Sequence, residues 1–176
     1  MKKTEKYTFF WKDKIAQWNI QSFKDNDGIE YNCAEQYMMA QKALLFNDIE
    51  IHNLIMNEKS PKEQQKLGRI IKNFNQDIWN ENAEQIVYNG NYFKFTQNKD
   101  LLEILLSTKD TQLVEASPFD KIWGVGLGED NPLILDEKNW QGQNLLGKTL
   151  TKVRNDIKNN NCSLNFFLKR KEITFL

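Results

Sequence analysis

The sequence predicts an α+β protein that is mainly α: a compact single-domain helical bundle with a few short β-strands. Three observations carry this expectation. Helical periodicity dominates from Cys33 to Ser107. Aromatic and β-branched runs of strand length are confined to residues 7–11, 29–32 and 111–116. No repeat or linker divides the 176 residues, a length that fits one domain with a sizeable core. The core is expected over about residues 7–158, with a tail over 159–176.

The elements follow in order. Residues 7–11 read as a first strand. Asp25-Asn26-Asp27-Gly28 is a turn between Ser22-Phe23 and a short strand at 29–32, which together suggest a small hairpin. Residues 31–46 are rich in strong helix formers, and Asn47-Asp48 breaks that helix before the next, Ile49–Asn57. Ser60-Pro61-Lys62-Glu63 offers an N-cap serine, a proline at the first helical position and a capping-box glutamate. The helix it opens is expected to reach about Lys72. Gly68 in its middle costs roughly 1 kcal/mol; close helix packing explains it, and so does display of Arg69 to an anion.

Ile78, Ala83, Ile86 and Val87 have near-helical spacing, and Asn89-Gly90-Asn91 reads as the end of that helix. Aromatic residues 92–95 follow. Asn98 is expected to cap a helix over 99–107 whose stripe is Leu101, Leu102, Leu105 and Leu106. Residues 111–116 read as a strand, 117–128 and 140–147 as loops, and 148 to about 157 as a last amphipathic helix. Residues 163–176 are expected to form a final strand or a packed tail.

Composition narrows the functions. Lysine plus arginine equals aspartate plus glutamate at 24 each, whereas a protein gripping long duplex through phosphates usually carries a basic excess. The dense basic run is Lys169-Arg170-Lys171. This balance favours a nucleotide-like small molecule, or local contact with one nucleotide. The single histidine, His52, sits among Ile49, Ile51, Leu54 and Ile55 and reads as packing, so zinc sites and histidine triads are excluded. Cys33 and Cys162 lack metal-ligand spacing and read as free thiols. No apolar run is long enough to span a membrane, and the start MKKTEKYTFFW lacks an apolar signal core. A cytoplasmic protein without metal or cofactor is expected, and its oligomeric state is left open.

Residues 31–46 organise the chain. At about 100° per residue, Ala34, Tyr37, Met38, Gln41, Leu44 and Leu45 cover one broad side. Gln36, Ala43 and Asn47 cover the opposite, polar side. Glu35 and Lys42 stack two turns apart on a line beside Met38, Met39 and Phe46. A charged pair aimed at the apolar side has two readings. It is a structural ion pair or a snorkelling lysine, or it is a desolvated lysine with a lowered pKa, hence a nucleophilic amine beside a carboxylate. Ser117 to Gly128 poses a similar choice. It is a long loop pinned by Trp123, or a loop whose bare backbone at Gly124 and Gly126 approaches a ligand with Asp120 and Trp123 at its mouth. It is not a dinucleotide fingerprint, because Asn131-Pro132 stands where a helix should open.

The segment Ala34-Glu35-Gln36-Tyr37-Met38-Met39-Ala40-Gln41-Lys42-Ala43 resembles the signature of the NADAR, or YbiA-like, proteins. Further blocks follow in order: Gln17-Trp18 with Phe23, Leu67-Gly68-Arg69, Trp79, Lys94-Phe95 with Gln97-Asn98, Leu113 to Pro118, Asp120 with Ile122 to Leu127, Trp140 with Gly142, Asn144 to Gly147, and Val153-Arg154. The chain departs from the pattern at Gln36, where many members carry histidine, and at Asn80-Glu81-Asn82, where many carry arginine. The tail beyond Ile157 has no counterpart.

The resemblance implies N-glycoside hydrolysis of a ribose linked to an exocyclic amine. The substrate class is ADP-ribosylated guanine in DNA or RNA, or the ribosylaminopyrimidine phosphates of riboflavin synthesis. A glycosylamine of this kind opens to an imine that a lysine can attack, which favours the functional reading of Lys42. On that reading Lys42 is the nucleophile, Glu35 moves protons, and Asp120 orients the sugar or serves as a second acid–base group. Trp79 and Trp123 stack on base or sugar faces, and Arg69 and Arg154 hold phosphate. Trp18, Gly124, Gly126 and Asn144 complete the expected binding set. A module that binds ADP-ribose without turnover, and an interaction protein in which Glu35 and Lys42 merely pair, are the alternatives.

Overall fold

A computed structural model describes the backbone of residues 1–172 and the side chains of residues 1–159. The fold is α+β and mainly helical, as the periodicity implies. Five short strands, β1 (Lys2–Lys3), β2 (Tyr7–Phe10), β3 (Phe23–Lys24), β4 (Glu30–Tyr31) and β5 (Gln112–Glu115), accompany six helices. These are α1 (Ala34–Leu45), α2 (Ile49–Asn57), α3 (Pro61–Arg69), α4 (Gln76–Gln97), α5 (Lys99–Leu106) and α6 (Leu145–Glu172). β2 lies between β1, antiparallel, and β5, parallel, with Phe9 opposite Val114 and Phe10 opposite Glu115. β3 and β4 form the small hairpin expected around Asp25.

Helix α1 is the hub. α2, α3 and α4 all pack on it, and eight of its residues are buried. Gln36 and Ala43, expected on a polar outer side, are buried, while Leu44 from the supposed apolar side is exposed. The reversal has a local cause. The Gln36 amide donates to the carbonyls of Ile55, Met56 and Glu58 at the end of α2, and its oxygen accepts the Asn32 N–H at 2.7 Å. A buried polar side chain is tolerated when its groups are paired in this way. Cys33 caps the start of α1: its sulfur accepts the Gln36 N–H and donates to Gln64 Oε1.

Other boundaries moved for identifiable reasons. α3 stops at Arg69, short of Lys72, and the Ser60 hydroxyl makes no cap; Glu58 Oε1 instead accepts the Ser60 N–H at 2.8 Å, and Glu63 pairs with Lys66. Asn98 likewise makes no side-chain cap, its amide being bound to Ser22 and Lys94 carbonyls. α4 runs unbroken through Asn89-Gly90-Asn91 and takes in the aromatic Tyr92, Phe93 and Phe95. Gly90 is there for proximity, not termination: a Cβ on it would stand 2.5 Å from Cδ1 of Tyr37. Gly68 answers the same way, since a Cβ there would strike the Met39 sulfur.

α6 starts three residues before expected and continues to Glu172, across much of the span expected as a final strand or tail. Residues 173–176 lie outside the described residues, as do the side chains of Cys162 and of Lys169-Arg170-Lys171. A second, smaller core of Tyr7, Phe9, Val114, Ala116, Val125, Leu127 and Ile134 lies under Trp140. No helix among the described residues is long and apolar enough to cross a membrane.

Gly90→Ala tests the α1–α4 contact. The new methyl collides with the Tyr37 ring, and overpacking of this kind costs about 1–3 kcal/mol, against roughly 1 kcal/mol regained from helix propensity. Urea unfolding should show a net loss of stability; a gain would mean that the helices are not held this close.

Candidate active site

Glu35 sits in the first turn of α1, and its backbone N–H donates to Gln17 O at 3.2 Å. The side chain is almost wholly buried. Burial pushes its pKa up to about 7. The Trp18 side chain, hydrogen-bonded to the carboxylate, opposes that rise; Asp120 adds to it, and Arg69 and Lys42 oppose it. Glu35 is therefore within electrostatic reach of Asp120, Arg69 and Lys42 together.

Two turns on, Lys42 points its half-buried amine at the end of α3. Nζ donates to Gly68 O at 2.8 Å and lies 4.4 Å from the Phe74 ring centroid and 5.3 Å from that of Trp79. The Gly68 carbonyl belongs to the last turn of α3, where carbonyls lack intrahelical partners. Desolvation lowers the pKa of Lys42, Glu35 raises it, and Arg69 lowers it further. Desolvation is the largest of the three. Arg69 itself is exposed and donates to Gln65 at 2.9 Å.

The 117–128 loop brings the third carboxyl. Asp120 Oδ1 accepts the N–H groups of Ile122 and Trp123, both at 2.8 Å, which fixes its side chain over the turn. The loop lies along the segment that leads into α6: the N–H groups of Gln143, Asn144, Leu145 and Leu146 donate to the carbonyls of Lys121, Gly124, Ile122 and Trp123. Gly126 has φ of +70°, a conformation that side chains rarely adopt, and a Cβ on Gly124 would stand 3.0 Å from Asp120 O. Trp123 is half-buried against the main core.

Glu35, Lys42, Arg69, Trp79, Trp18 and Asp120 are thus joined by contacts or by direct charge coupling. Two expected binding residues are occupied elsewhere. Arg154 is buried with its guanidinium donating to Thr108 Oγ1 at 2.9 Å and Thr111 O at 2.7 Å, beside a cleft lined by Asp110, Gln112 and Lys148. Among the described residues no contact joins it to Glu35 or Lys42. Asn144 is a buried strut: Oδ1 accepts the Glu115 N–H and Nδ2 donates to Leu113 O, each at 3.0 Å.

Sequence reasoning gave no role to three residues that the structure brings forward. Lys94 is fully buried and donates to Ala16 O at 2.7 Å, and burial pulls its pKa down to about 7. Asn91 donates to Gln17 Oε1 at 2.8 Å. The two residues hold the strap that carries Trp18 over Glu35. Helical spacing offered a signal, since Lys94 follows Val87 and Gly90 by seven and four positions on the inward face of α4. Glu115 ends β5, and burial, with Asp120 and Glu35 nearby, pushes its pKa up to about 8. Its signal was weaker: an acidic residue at the carboxyl end of a strand, five positions before Asp120.

Fold and site together define a small helical protein with an acid and an amine on one helix beside aromatic rings. The NADAR domain model matches residues 1–158, and the chain belongs to the NADAR family. It is 43% identical over 165 residues to an N-glycosidase of Acanthamoeba polyphaga mimivirus, covering 87% of this chain and 97% of that one. It is 37% identical over 125 residues to an N-glycosidase of Nostoc punctiforme, covering 71% and 73% respectively. The NMR structure of the Escherichia coli protein YbiA shares the fold, with a TM-score of 0.73 at 24% identity over 91% of this chain and 89% of that one.

Trp18 is the one donor that counters the burial of Glu35. Trp18→Phe should move the Glu35 pKa upward from about 7, as read by 13C-carboxyl NMR titration. A downward shift, or none, would show that the indole does not stabilise the carboxylate.

Proposed function

We propose that this protein is an N-glycoside hydrolase that cleaves the C1–N bond between a ribose and an exocyclic amine through a Schiff base on Lys42. The observation that carries the reading is the Lys42 amine, desolvated between Phe74 and Trp79 with its pKa held below the usual lysine range. Its relatives named as N-glycosidases support the reaction class.

The chemistry follows from the open form of a glycosylamine, an imine at C1. The neutral Lys42 amine leaves Gly68 O and adds to C1. The substrate nitrogen departs as an amine after taking a proton, leaving C1 bound to Lys42 as an iminium. Glu35, with a pKa of about 7, is suited both to give that proton and, as carboxylate, to take one from the water that then attacks C1. The carbinolamine collapses to release Lys42 and the free sugar. Asp120 orients sugar hydroxyls, Trp79, Trp123 and Trp18 offer faces for base or sugar, and Arg69 holds phosphate from the rim.

Two substrates fit this chemistry: ADP-ribosylated guanine in DNA or RNA, and ribosylaminopyrimidine phosphates. The zero net charge favours the small metabolite. The exposed Phe119 and Ile122 beside Asp120 favour a stacked nucleobase. Incubation with each substrate, followed by analysis of the released base and sugar, separates them and also separates a hydrolase from a module that only binds.

Lys42→Arg keeps the charge but cannot form an imine. It should lower kcat by more than about 10³-fold, as loss of a covalent nucleophile does, and borohydride added during turnover should trap a sugar adduct on Lys42 in the wild type. Normal turnover by Lys42→Arg would rule out the covalent route and leave Glu35 and Asp120 activating water directly.

A further inference from the structure

We propose that Glu115 is the acid partner of Glu35: a neutral carboxyl at the carboxyl end of β5 that supplies the proton on which departure of the amine depends. The inference rests on the hydrolase reading above and divides its proton transfers between two groups.

The first observation is geometric. Glu115 Oε2 is closed off from solvent and has no hydrogen-bond partner. A carboxylate oxygen without a donor is costly to bury, whereas a neutral carboxyl is much less so. The charges that act on it, Asp120 and Glu35, are both negative and come from different elements, the 117–128 loop and α1. The uncharged Asn144 amide approaches Glu115 only at its backbone N–H. Both charges work against ionisation of Glu115. The backbone also fixes where Glu115 stands: its N–H is bound to Asn144, its carbonyl accepts the Val125 N–H at 3.0 Å, and Phe10 lies opposite in β2.

The second observation is the difference between the acids. Glu35 has the Trp18 donor and the cations Lys42 and Arg69 to favour its carboxylate, whereas the charges acting on Glu115 are both negative and favour its neutral form. Environments that separate two carboxyls in this way assign one as acid and the other as base, and the two titrate as a coupled pair. The protons balance over the cycle. Glu115 gives its proton toward the leaving nitrogen, which departs as a neutral amine. Glu35 takes a proton from the attacking water. That proton returns to Glu115 when the carbinolamine collapses and the free sugar leaves, so the net reaction consumes one water and no proton.

The test is the pH profile of kcat for the wild type and Glu115→Gln. The wild type should lose activity as pH rises through about 8. Glu115→Gln, which has no proton to give, should lower kcat at pH 7 by about 10²-fold or more and abolish that alkaline limb, with KM little changed. An unchanged limb at comparable kcat would overturn the proposal. A titration of the wild-type Glu115 carboxyl by 13C NMR stands apart from the fold and activity of the variant; a pKa in the ordinary glutamate range would overturn it as well. Failure of the hydrolase reading looks different, as a wild type that releases no base at any pH.

Stability offers a third readout. Because the folded pKa is raised, Glu115 contributes stability at low pH that is lost as pH rises from the ordinary glutamate value through about 8. The melting temperature of Glu115→Gln should fall less than that of the wild type across this window. An equal fall in both would count against a neutral Glu115.

Discussion

The removal of α1 from water is the constraint on which the rest of this structure depends. Three helices wrap one twelve-residue helix, and two of its side chains are an acid and an amine. Neither group is closely paired with the other, so burial is the largest cause that moves both pKa values toward neutrality, Glu35 upward and Lys42 downward. A tight ion pair would have moved them apart. Two turns of helix prevent that pair, since they separate the residues by about 10 Å along the axis.

The surrounding elements set how far each group moves. The strap before α1 is tied to α4 by Lys94 and Asn91 and brings Trp18 to Glu35. The end of α3 supplies the Gly68 carbonyl that holds the Lys42 ammonium at rest. Phe74 and Trp79 replace water on the other side of the amine. Holding an ammonium in place and keeping water from it act in opposite directions on its pKa, and the net effect is a lowering. An amine that must add to carbon needs both: a defined resting position and a modest cost to lose its proton.

The loop from Ser117 to Gly128 shows how a segment without helix or strand can still be placed firmly. Successive N–H groups from 143 to 146 close on its carbonyls, and Asp120 binds two of its own N–H groups. This fixes Asp120 relative to β5, and hence relative to Glu115. Two of the carboxyls, Glu115 and Asp120, therefore come from strand end and loop, and Glu35 and the amine from helix α1.

Much of this was legible in the chain. The helical bulk, the span Ile49–Asn57, the hairpin around Asp25 and the alignment of Glu35 with Lys42 all follow from spacing and turn chemistry, which are local. The errors share a different origin. Gly90 read as a helix end because glycine usually ends helices, yet Tyr37 from another helix required it in mid-helix. Gln36 read as an outward residue because it is polar, yet three carbonyls at the end of α2 were waiting for its amide. For Arg154, the contacts of the guanidinium with Thr108 and Thr111 could not be read from spacing either. For Glu115 and Lys94 the chain offered only weak positional signals, because a buried ionisable group is defined by what surrounds it. The sequence by itself determined which residues share a helix face and which turns separate the elements. Only the tertiary structure decided which faces lost their water, because desolvation depends on neighbours that are distant along the chain.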